Sequence, residues 1–271
     1  MLTEGEPRLW WDRRGEGDPP LLLVQGLGYT ADMWARVLDA LSGPRQTIRF
    51  DNRGVGRSDL PDGEWSMEDM ADDAVQVLDA AGVARAHVMG VSMGGVIAQE
   101  LALRHPDRVV SLVLGCTHPS GRDAVRTTPE AAAMLMDRTP RSPREVIEAS
   151  VRFLYAETTS ADAIEEDIAV RLRWPLRAKA YWGQLDAMRR HDGLLERLRT
   201  LAVPTLVMHG TQDKLVQPGN ATLIADAIPG ARLEWLDGAS HVFWTDQPQR
   251  SVELVNAFLD DVDAPAGQAA G

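Results

Sequence analysis

The stretch Ala86–Gly95, AHVMGVSMGG, places one serine among glycines directly after an apolar run. Ser92 has Gly90 two residues before it and Gly94 two residues after it. The run that ends at Gly90 predicts a buried strand, and the apolar spacing over Met93–Arg104 predicts a helix. A serine between a strand and a helix requires a sharp turn, and glycines relieve the crowding there. We therefore interpret this G-x-S-x-G segment as a nucleophile elbow, a turn that presents the serine hydroxyl.

Strands and helices alternate along most of the chain. A capping box at Ser66 and Asp69 opens a predicted helix over Ser66–Ala81, which stops at Gly82. This alternation predicts an α/β fold, with a mostly parallel central sheet flanked by helices. The predicted strands are Leu21–Gly26, Gln46–Asp51, Ala86–Gly90, Val109–Gly115, Pro204–Gly210 and Ala231–Gly238.

Residues 117–192 break this alternation because they contain no strand pattern. They contain four helical patterns instead, near Pro129–Asp137, Pro143–Ala156, Ala161–Leu172 and Leu176–His191. We predict that this segment is a helical cap (lid) inserted between two strands of a core domain, itself formed by residues 1–116 and 193–262. Residues 263–271 are small and polar, and we expect them to be a disordered tail.

Composition narrows the classes of partner and compartment. The formal net charge of −12 argues against nucleic acid and anionic membranes as partners. Neither a signal peptide nor a run of about eighteen apolar residues is present, so we predict a cytoplasmic protein. Its single cysteine, Cys116, excludes an internal disulfide and a multi-cysteine metal site. We expect Cys116 to be a buried core residue, with a pocket-lining thiol as the alternative. The sequence predicts no particular oligomeric state.

A nucleophilic serine needs a base and an acid that orients the base. In a fold with this elbow they follow in the order serine, acid, histidine, each on a loop after a strand. Asp213 lies three residues past Gly210, at the end of a predicted strand, and His241 lies on the loop after Gly238. We therefore predict that Ser92, Asp213 and His241 form a catalytic triad.

The other histidines and a second aspartate fit these roles less well. His87, His105 and His209 lie within or at the end of predicted elements, where a structural role is expected. His118 begins the insertion and could line a pocket. Asp237 is close to His241 in sequence, but the segment Leu236–Ala239, LDGA, is typical of a turn.

Four segments together resemble the α/β-hydrolase superfamily over nearly the whole chain. In appearance the chain is most similar to enol-lactonase-like and aclacinomycin-methylesterase-like bacterial hydrolases. The resemblance implies an α/β-hydrolase fold. The segments that carry it are Asp51–Asp59 (DNRGVGRSD), Gly90–Val109, Val203–Val216 and Ala239–Pro248.

The resemblance also implies an oxyanion hole formed by two backbone N–H groups, those of Leu27 and Met93. Members of the superfamily usually carry histidine where this chain has Gln25. We expect Gln25 to brace the turn Gly26–Gly28 by bonding neighbouring backbone. The alternative is that Gln25 points into the pocket and hydrogen-bonds a polar group of the substrate.

These features predict a serine hydrolase that needs no metal or organic cofactor. Its substrate would be a small-molecule carboxylic ester or lactone, cleaved through an acyl-enzyme on Ser92. Alternatives with the same triad are cleavage of a carbon–carbon bond in a β-diketone and acyl transfer to an alcohol or peroxide. A more distant alternative is a non-catalytic binding protein. The predicted substrate pocket, which could instead be the cap's own core, comprises Trp174, Tyr181, Trp182, Leu185 and Met188.

Overall fold

A single mixed sheet organises residues 1–264, the part of the chain that the computed structural model describes. The strand order is β1-β3-β2-β4-β5-β6-β7, and β1 pairs antiparallel with β3 while every other neighbouring pair is parallel. The strands are β1 (Trp11–Arg14), β2 (Leu21–Val24), β3 (Thr47–Phe50), β4 (Ala86–Val91), β5 (Val109–Gly115), β6 (Thr205–Gly210) and β7 (Arg232–Leu236).

Helices cover the sheet and form the insertion. Among those in residues 1–264, none combines the length and apolar character that a membrane span requires. Two short 3₁₀ helices, Ala31–Trp34 and Pro106–Arg108, accompany the α-helices. These are α1 (Ala35–Ser42), α2 (Met67–Ala80), α3 (Met93–Arg104), α4 (Pro129–Leu135), α5 (Pro143–Leu154), α6 (Ala161–Arg173), α7 (Ala178–Arg190), α8 (Leu195–Leu198), α9 (Gly219–Ala227), α10 (Phe243–Asp246) and α11 (Pro248–Asp263).

Both faces of the sheet are buried under helices. Leu22 and Val24 of β2 join a core cluster with residues of α2, α3, α8 and α9. Leu21 and Leu23 point to the opposite face and join a cluster with residues of α1 and α11. Successive side chains of a strand point to opposite faces, so a continuously apolar strand such as β2 requires cover on both sides. The predicted α/β-hydrolase architecture is confirmed.

Each of the six predicted strands is present, but several elements were missed. Strand β1 contains Asp12, Arg13 and Arg14, and its charged side chains suit an edge strand but hide the strand pattern. Helices α1, α8 and α9 were also not predicted. The capping box is confirmed, since the Ser66 hydroxyl accepts the Asp69 N–H at 3.2 Å and the Asp69 carboxylate accepts the Ser66 N–H at 2.8 Å.

Asp263, the first residue of the predicted tail, is the last residue of α11, so the helix reaches one residue into that segment. This helix continues to Asp263 because its apolar face, including Phe258 and Leu259, packs into the core. The prediction for residues 265–271 lies outside the described residues.

The insertion between β5 and β6 contains helices α4–α7, and no strand lies between residues 117 and 192. It contacts the core near the loop that carries His241, where the Val242 N–H donates to the carbonyl of Leu154 at the end of α5, at 2.8 Å. The division into a core and a cap with these boundaries remains a prediction. What matters for the site is that the insertion faces the carboxyl ends of the strands, where ligands bind in open α/β sheets.

Candidate active site

A cavity of about 1410 Å³ lies between the insertion and the carboxyl ends of the strands. Its core side is formed by residues that follow β2, β4, β6 and β7, including Leu27, Ser92, Val216 and His241. Its other side is formed by residues of the insertion. The sheet therefore brings loops that are distant in sequence to one end of the molecule.

Ser92 occupies a sharp, strained turn between β4 and α3. Its backbone has φ 55° and ψ −124°, in a region that costs a non-glycine residue of order 1–3 kcal/mol. A Cβ at Gly90 would overlap the Gly94 carbonyl, and a Cβ at Gly94 would overlap the carbonyl of Val24. The two glycines are thus needed for close approach, while the positive φ falls on the serine itself. The Thr117 hydroxyl braces the turn by donating to the Ser92 carbonyl at 2.6 Å.

Asp213 and His241 are in contact, as the order of the motifs predicted. The distance from His241 Nδ1 to Asp213 Oδ2 is 2.8 Å. The other carboxylate oxygen, Oδ1, accepts the backbone N–H groups of Leu215 at 2.8 Å and Val216 at 2.9 Å. Burial raises the pKa of Asp213, but the charge interaction with His241 and hydrogen bonds from His209 and His241 outweigh it, so the pKa lies well below its usual range. Asp213 is therefore ionised at neutral pH.

His209 lies behind Asp213 and is fully buried. Its Nε2 is 3.2 Å from Asp213 Oδ2 and 2.9 Å from the carbonyl oxygen of Val216. The sequence indicated a structural role for His209. In the structure His209 helps to hold the Asp213 carboxylate that faces His241.

Cys116 is also buried in this region, where its Sγ accepts the Gly210 N–H at 3.4 Å. Burial raises the pKa of the Cys116 thiol well above its usual range. Cys116 is not among the residues that line the cavity. The expectation of a buried core residue is confirmed, and the alternative of a pocket-lining thiol is wrong.

Ser92 and His241 both line the cavity, although no hydrogen bond joins their side chains within residues 1–264. Bonds between catalytic groups are often long in ligand-free proteins and tighten on binding. His118 also lines the cavity, and its Nδ1 accepts the Ser120 N–H at 3.0 Å. Burial lowers the pKa of His118 to about 4, so its ring is neutral at pH 7.

The remaining candidates lie away from the cavity. Asp237 accepts a hydrogen bond from the Thr211 hydroxyl at 3.2 Å, in the turn that its sequence indicated. His87 lies 2.8 Å from the Ser111 hydroxyl, and His105 lies 2.6 Å from Asp72. None of these three residues lines the cavity described in residues 1–264.

The predicted oxyanion donors flank the serine. Within the described residues, neither the Leu27 nor the Met93 backbone N–H has a hydrogen-bond partner in the protein. Gln25 is buried, and its Oε1 accepts the Gly26 N–H at 3.2 Å, while its Nε2 has no partner among residues 1–264. Gln25 thus bonds its neighbouring backbone and also lines the cavity, which leaves both of its predicted roles open.

Two residues that the sequence did not reveal hold the site to the insertion. Gln184 of α7 is buried, and its Oε1 accepts the Gly28 N–H at 2.9 Å. Asp246 accepts the N–H groups of Ser240 at 2.7 Å and of Ala156 at 3.3 Å, linking the histidine loop to the end of α5. Nothing in the local pattern marks either residue, because their partners are distant in sequence.

The five predicted pocket residues, Trp174, Tyr181, Trp182, Leu185 and Met188, all line the cavity. Some also have contacts within the protein. Trp174 Nε1 donates to Asp32 at 3.1 Å, and the rings of Tyr181 and Trp182 meet edge to face at 5.2 Å. The Tyr181–Trp182 contact lies within the insertion, whereas Trp174 is exposed and bonds a residue outside it, so the choice between substrate pocket and cap core stays a prediction.

Comparison with known proteins agrees with this fold. The family described as "alpha/beta hydrolase fold" matches residues 19–247. The "Putative carbamate hydrolase RutD" of Azorhizobium caulinodans is 33% identical over 263 residues, covering 96% of this chain and 97% of that protein. The "Pimeloyl-[acyl-carrier protein] methyl ester esterase" of Aeromonas hydrophila is 28% identical over 258 residues, covering 92% and 98%. The crystal structure of the enol-lactonase from Burkholderia xenovorans LB400 has a TM-score of 0.80 at 27% identity, covering 96% and 100%. The chain belongs to the α/β-hydrolase family.

Proposed function

We propose that this hydrolase cleaves a carboxylic ester or lactone through an acyl-enzyme on Ser92. The observation that carries the proposal is the arrangement at the carboxyl ends of the strands. Ser92, in its strained turn, faces the same cavity as His241, and His241 Nδ1 lies 2.8 Å from the ionised Asp213. A nucleophile, an orienting acid and a base, in this order along the chain, form the catalytic unit of hydrolases with such an elbow.

In this mechanism the Ser92 hydroxyl attacks the acyl carbonyl while His241 Nε2 accepts its proton. Asp213 accepts a hydrogen bond from His241 Nδ1–H, which selects the reactive tautomer and stabilises the imidazolium. The N–H groups of Leu27 and Met93 bind the oxyanion. His241 then gives its proton to the leaving alcohol, and water, activated by the same ring, hydrolyses the acyl-enzyme.

The size of the cavity favours a substrate with a sizeable carbon skeleton. Typical ligand pockets have about 300–1,000 Å³, and this cavity has about 1410 Å³. A carbamate is the second candidate, because the Azorhizobium caulinodans relative carries that name. A relative named as a methyl ester esterase and a structural neighbour named as an enol-lactonase favour the ester or lactone.

Substitution of the nucleophile tests the proposal. We expect Ser92→Ala and His241→Ala each to lower kcat by about 10⁶ while circular dichroism and the thermal unfolding midpoint stay close to wild type. Ser120→Ala is the matched control, because Ser120 also lines the cavity and also has a positive φ, 58°. A fluorophosphonate probe should label the wild type and Ser120→Ala at Ser92, as read by mass spectrometry of peptides.

The substrate panel should contain esters, lactones, thioesters, carbamates and a β-diketone, with Ser92→Ala as the blank. Hydrolysis that persists in Ser92→Ala would refute the assigned nucleophile. Turnover of the carbamate or the β-diketone above every ester and lactone would replace the proposed reaction by one of the alternatives. An added alcohol acceptor that diverts the acyl group from water would indicate a transferase.

A further inference from the structure

Arg171 is a half-buried cation on the wall of the cavity without a counter-ion. It lies on α6, and no carboxylate lies within 4 Å of its guanidinium among residues 1–264. Asp167, one helical turn earlier, would be its ordinary partner. That carboxylate is already occupied, since it accepts Arg36 Nη2 at 3.2 Å, the Tyr155 hydroxyl at 3.1 Å and the Thr245 hydroxyl at 2.7 Å.

Two residues of the cavity wall, Tyr29 and Ser150, contact the Arg171 side chain. Its guanidinium carbon lies 4.7 Å from the centre of the Tyr29 ring, and its Nη1 is 3.3 Å from the Ser150 hydroxyl. The Tyr29 hydroxyl is buried and has no hydrogen-bond partner among the described residues. Burial raises the pKa of Tyr29, so this hydroxyl is a neutral donor. Because this hydroxyl is buried, the Tyr29 ring and not its hydroxyl meets the cavity, and the ring covers one face of the guanidinium.

The charge around the cavity has the opposite sign to that of the whole chain. Among the residues that the structure describes, seven arginines but only two aspartates line the cavity, while the chain carries a formal net charge of −12. Some of these arginines are paired, for example Arg141 with Asp137 at 2.8 Å and Arg189 with Asp186 at 3.6 Å. Arg171 is distinguished from them because it combines partial burial with the absence of an acidic partner. A positive cavity in an acidic protein attracts and retains anions.

We infer that Arg171, held in place by the Tyr29 ring and the Ser150 hydroxyl, forms a subsite for an ionised carboxylate that the substrate carries besides its ester or lactone group. A guanidinium matches the planar carboxylate with parallel N–H donors. Tyr29 follows Leu27 by two residues, so the subsite and the proposed oxyanion donor belong to one loop. The inference rests on the proposed function for the position of the reacting group, and it names the substrate class as acidic esters or lactones.

Matched substrates test this inference. Monomethyl esters of linear dicarboxylic acids of increasing length are compared with the corresponding dimethyl esters, which lack the charge. We expect the wild type to prefer the charged member of the best pair at least tenfold in kcat/KM. Arg171→Met should lower kcat/KM for that charged ester by 10- to 100-fold and leave the neutral ester within about twofold. Tyr29→Phe keeps the ring against the guanidinium and should stay close to wild type on both esters. Arg152→Met is the control, because Arg152 is an exposed arginine of α5 that does not line the cavity.

Binding of the free dicarboxylate to Ser92→Ala, measured by calorimetry, separates the two proposals. We expect binding that weakens at least tenfold in the double variant with Arg171→Met. If the wild type hydrolyses no ester, the proposed function fails, and this binding comparison still decides the subsite. Equal kcat/KM for charged and neutral esters throughout the series, or a charge preference that survives Arg171→Met, would overturn the inference.

Discussion

The two sides of the cavity are built differently. On the core side, the Ser92 turn and the loop at Gly26 are buried, and the glycines there leave no room for a Cβ. On the insertion side, Val125, Val146 and Leu176 line the same cavity and are exposed. Tightly packed backbone resists change, while exposed side chains can vary without loss of the fold. From this difference we expect the core side to determine the chemistry and the insertion side to determine the substrate.

The largest effect on kcat is expected from Asp213, the proposed acid on the core side of the cavity. Asp213→Asn should lower kcat by about 10⁴, because an amide that donates to His241 Nδ1 selects the wrong tautomer. Steady-state kinetics on one ester would measure it. Asp237→Asn is the matched control and should stay close to wild type, since Asp237 contacts Thr211 and not His241. The reverse order of the two variants would transfer the acid role to Asp237.

A smaller effect is expected for two glutamines that hold the loop Gly26–Gly28, which carries the Leu27 N–H, from opposite sides. Gln25 bonds the Gly26 N–H from the core, and Gln184 bonds the Gly28 N–H from the insertion. Each alanine variant should loosen the Leu27 donor, and loss of one such donor costs about 10²–10³ in kcat. Gln25→His should be tolerated. The measurement is kcat and KM on a plain ester and on the best substrate of the panel.

If Gln25 instead binds the substrate, both of its variants will raise KM for the best substrate and spare the plain ester. Gln184→Ala distinguishes a loop effect from this outcome, because Gln184 reaches the loop but is not among the residues that line the cavity. Wild-type kinetics for Gln25→Ala on every substrate would contradict both roles.

His118, at the junction of the two sides, should make folding sensitive to acid. Its pKa is about 4 in the folded protein and 6.5 ordinarily, so the unfolded chain binds more protons between these values. Stability is therefore intact above pH 6.5 and falls as the pH approaches 4, by up to about 3 kcal/mol. His118→Asn keeps an acceptor for the Ser120 N–H and should flatten this decline in urea unfolding curves. His105→Asn, at a partly exposed histidine, is the control. If the free energy of unfolding of His118→Asn falls at low pH as steeply as that of the wild type, His118 is not the group responsible.

The smallest effect is expected on the insertion side. Trp182→Ala and Met188→Ala should change the preference for acyl-chain length by about tenfold, because each removes apolar surface worth roughly 1–3 kcal/mol from the cavity wall. Turnover of a small acetate ester should change little. A kcat/KM profile over a series of chain lengths tests this, and an unaltered profile would show that the two residues serve the insertion's own core.

The sequence alone determined the order of the core elements and the candidate triad. Strand β4, the elbow and α3 are encoded within one short segment, because a fully buried strand and a crowded turn leave few residue types that fit. Asp213 and His241 could be predicted because each follows a strand, and the carboxyl ends of the parallel strands lie at one side of the sheet. Strand β1 could not be predicted, since its four residues form a strand only through pairing with β3.

Tertiary structure alone decided which side chains complete the site. Gln184 meets Gly28 across 156 positions of sequence, and Asp246 joins two loops that no local pattern connects. Within residues 1–264 Arg171 has no counter-ion, and Asp167, four residues earlier, is held by groups from three other parts of the chain. Local sequence encodes backbone conformation and burial, whereas the partner of a buried polar group depends on which distant elements pack against it.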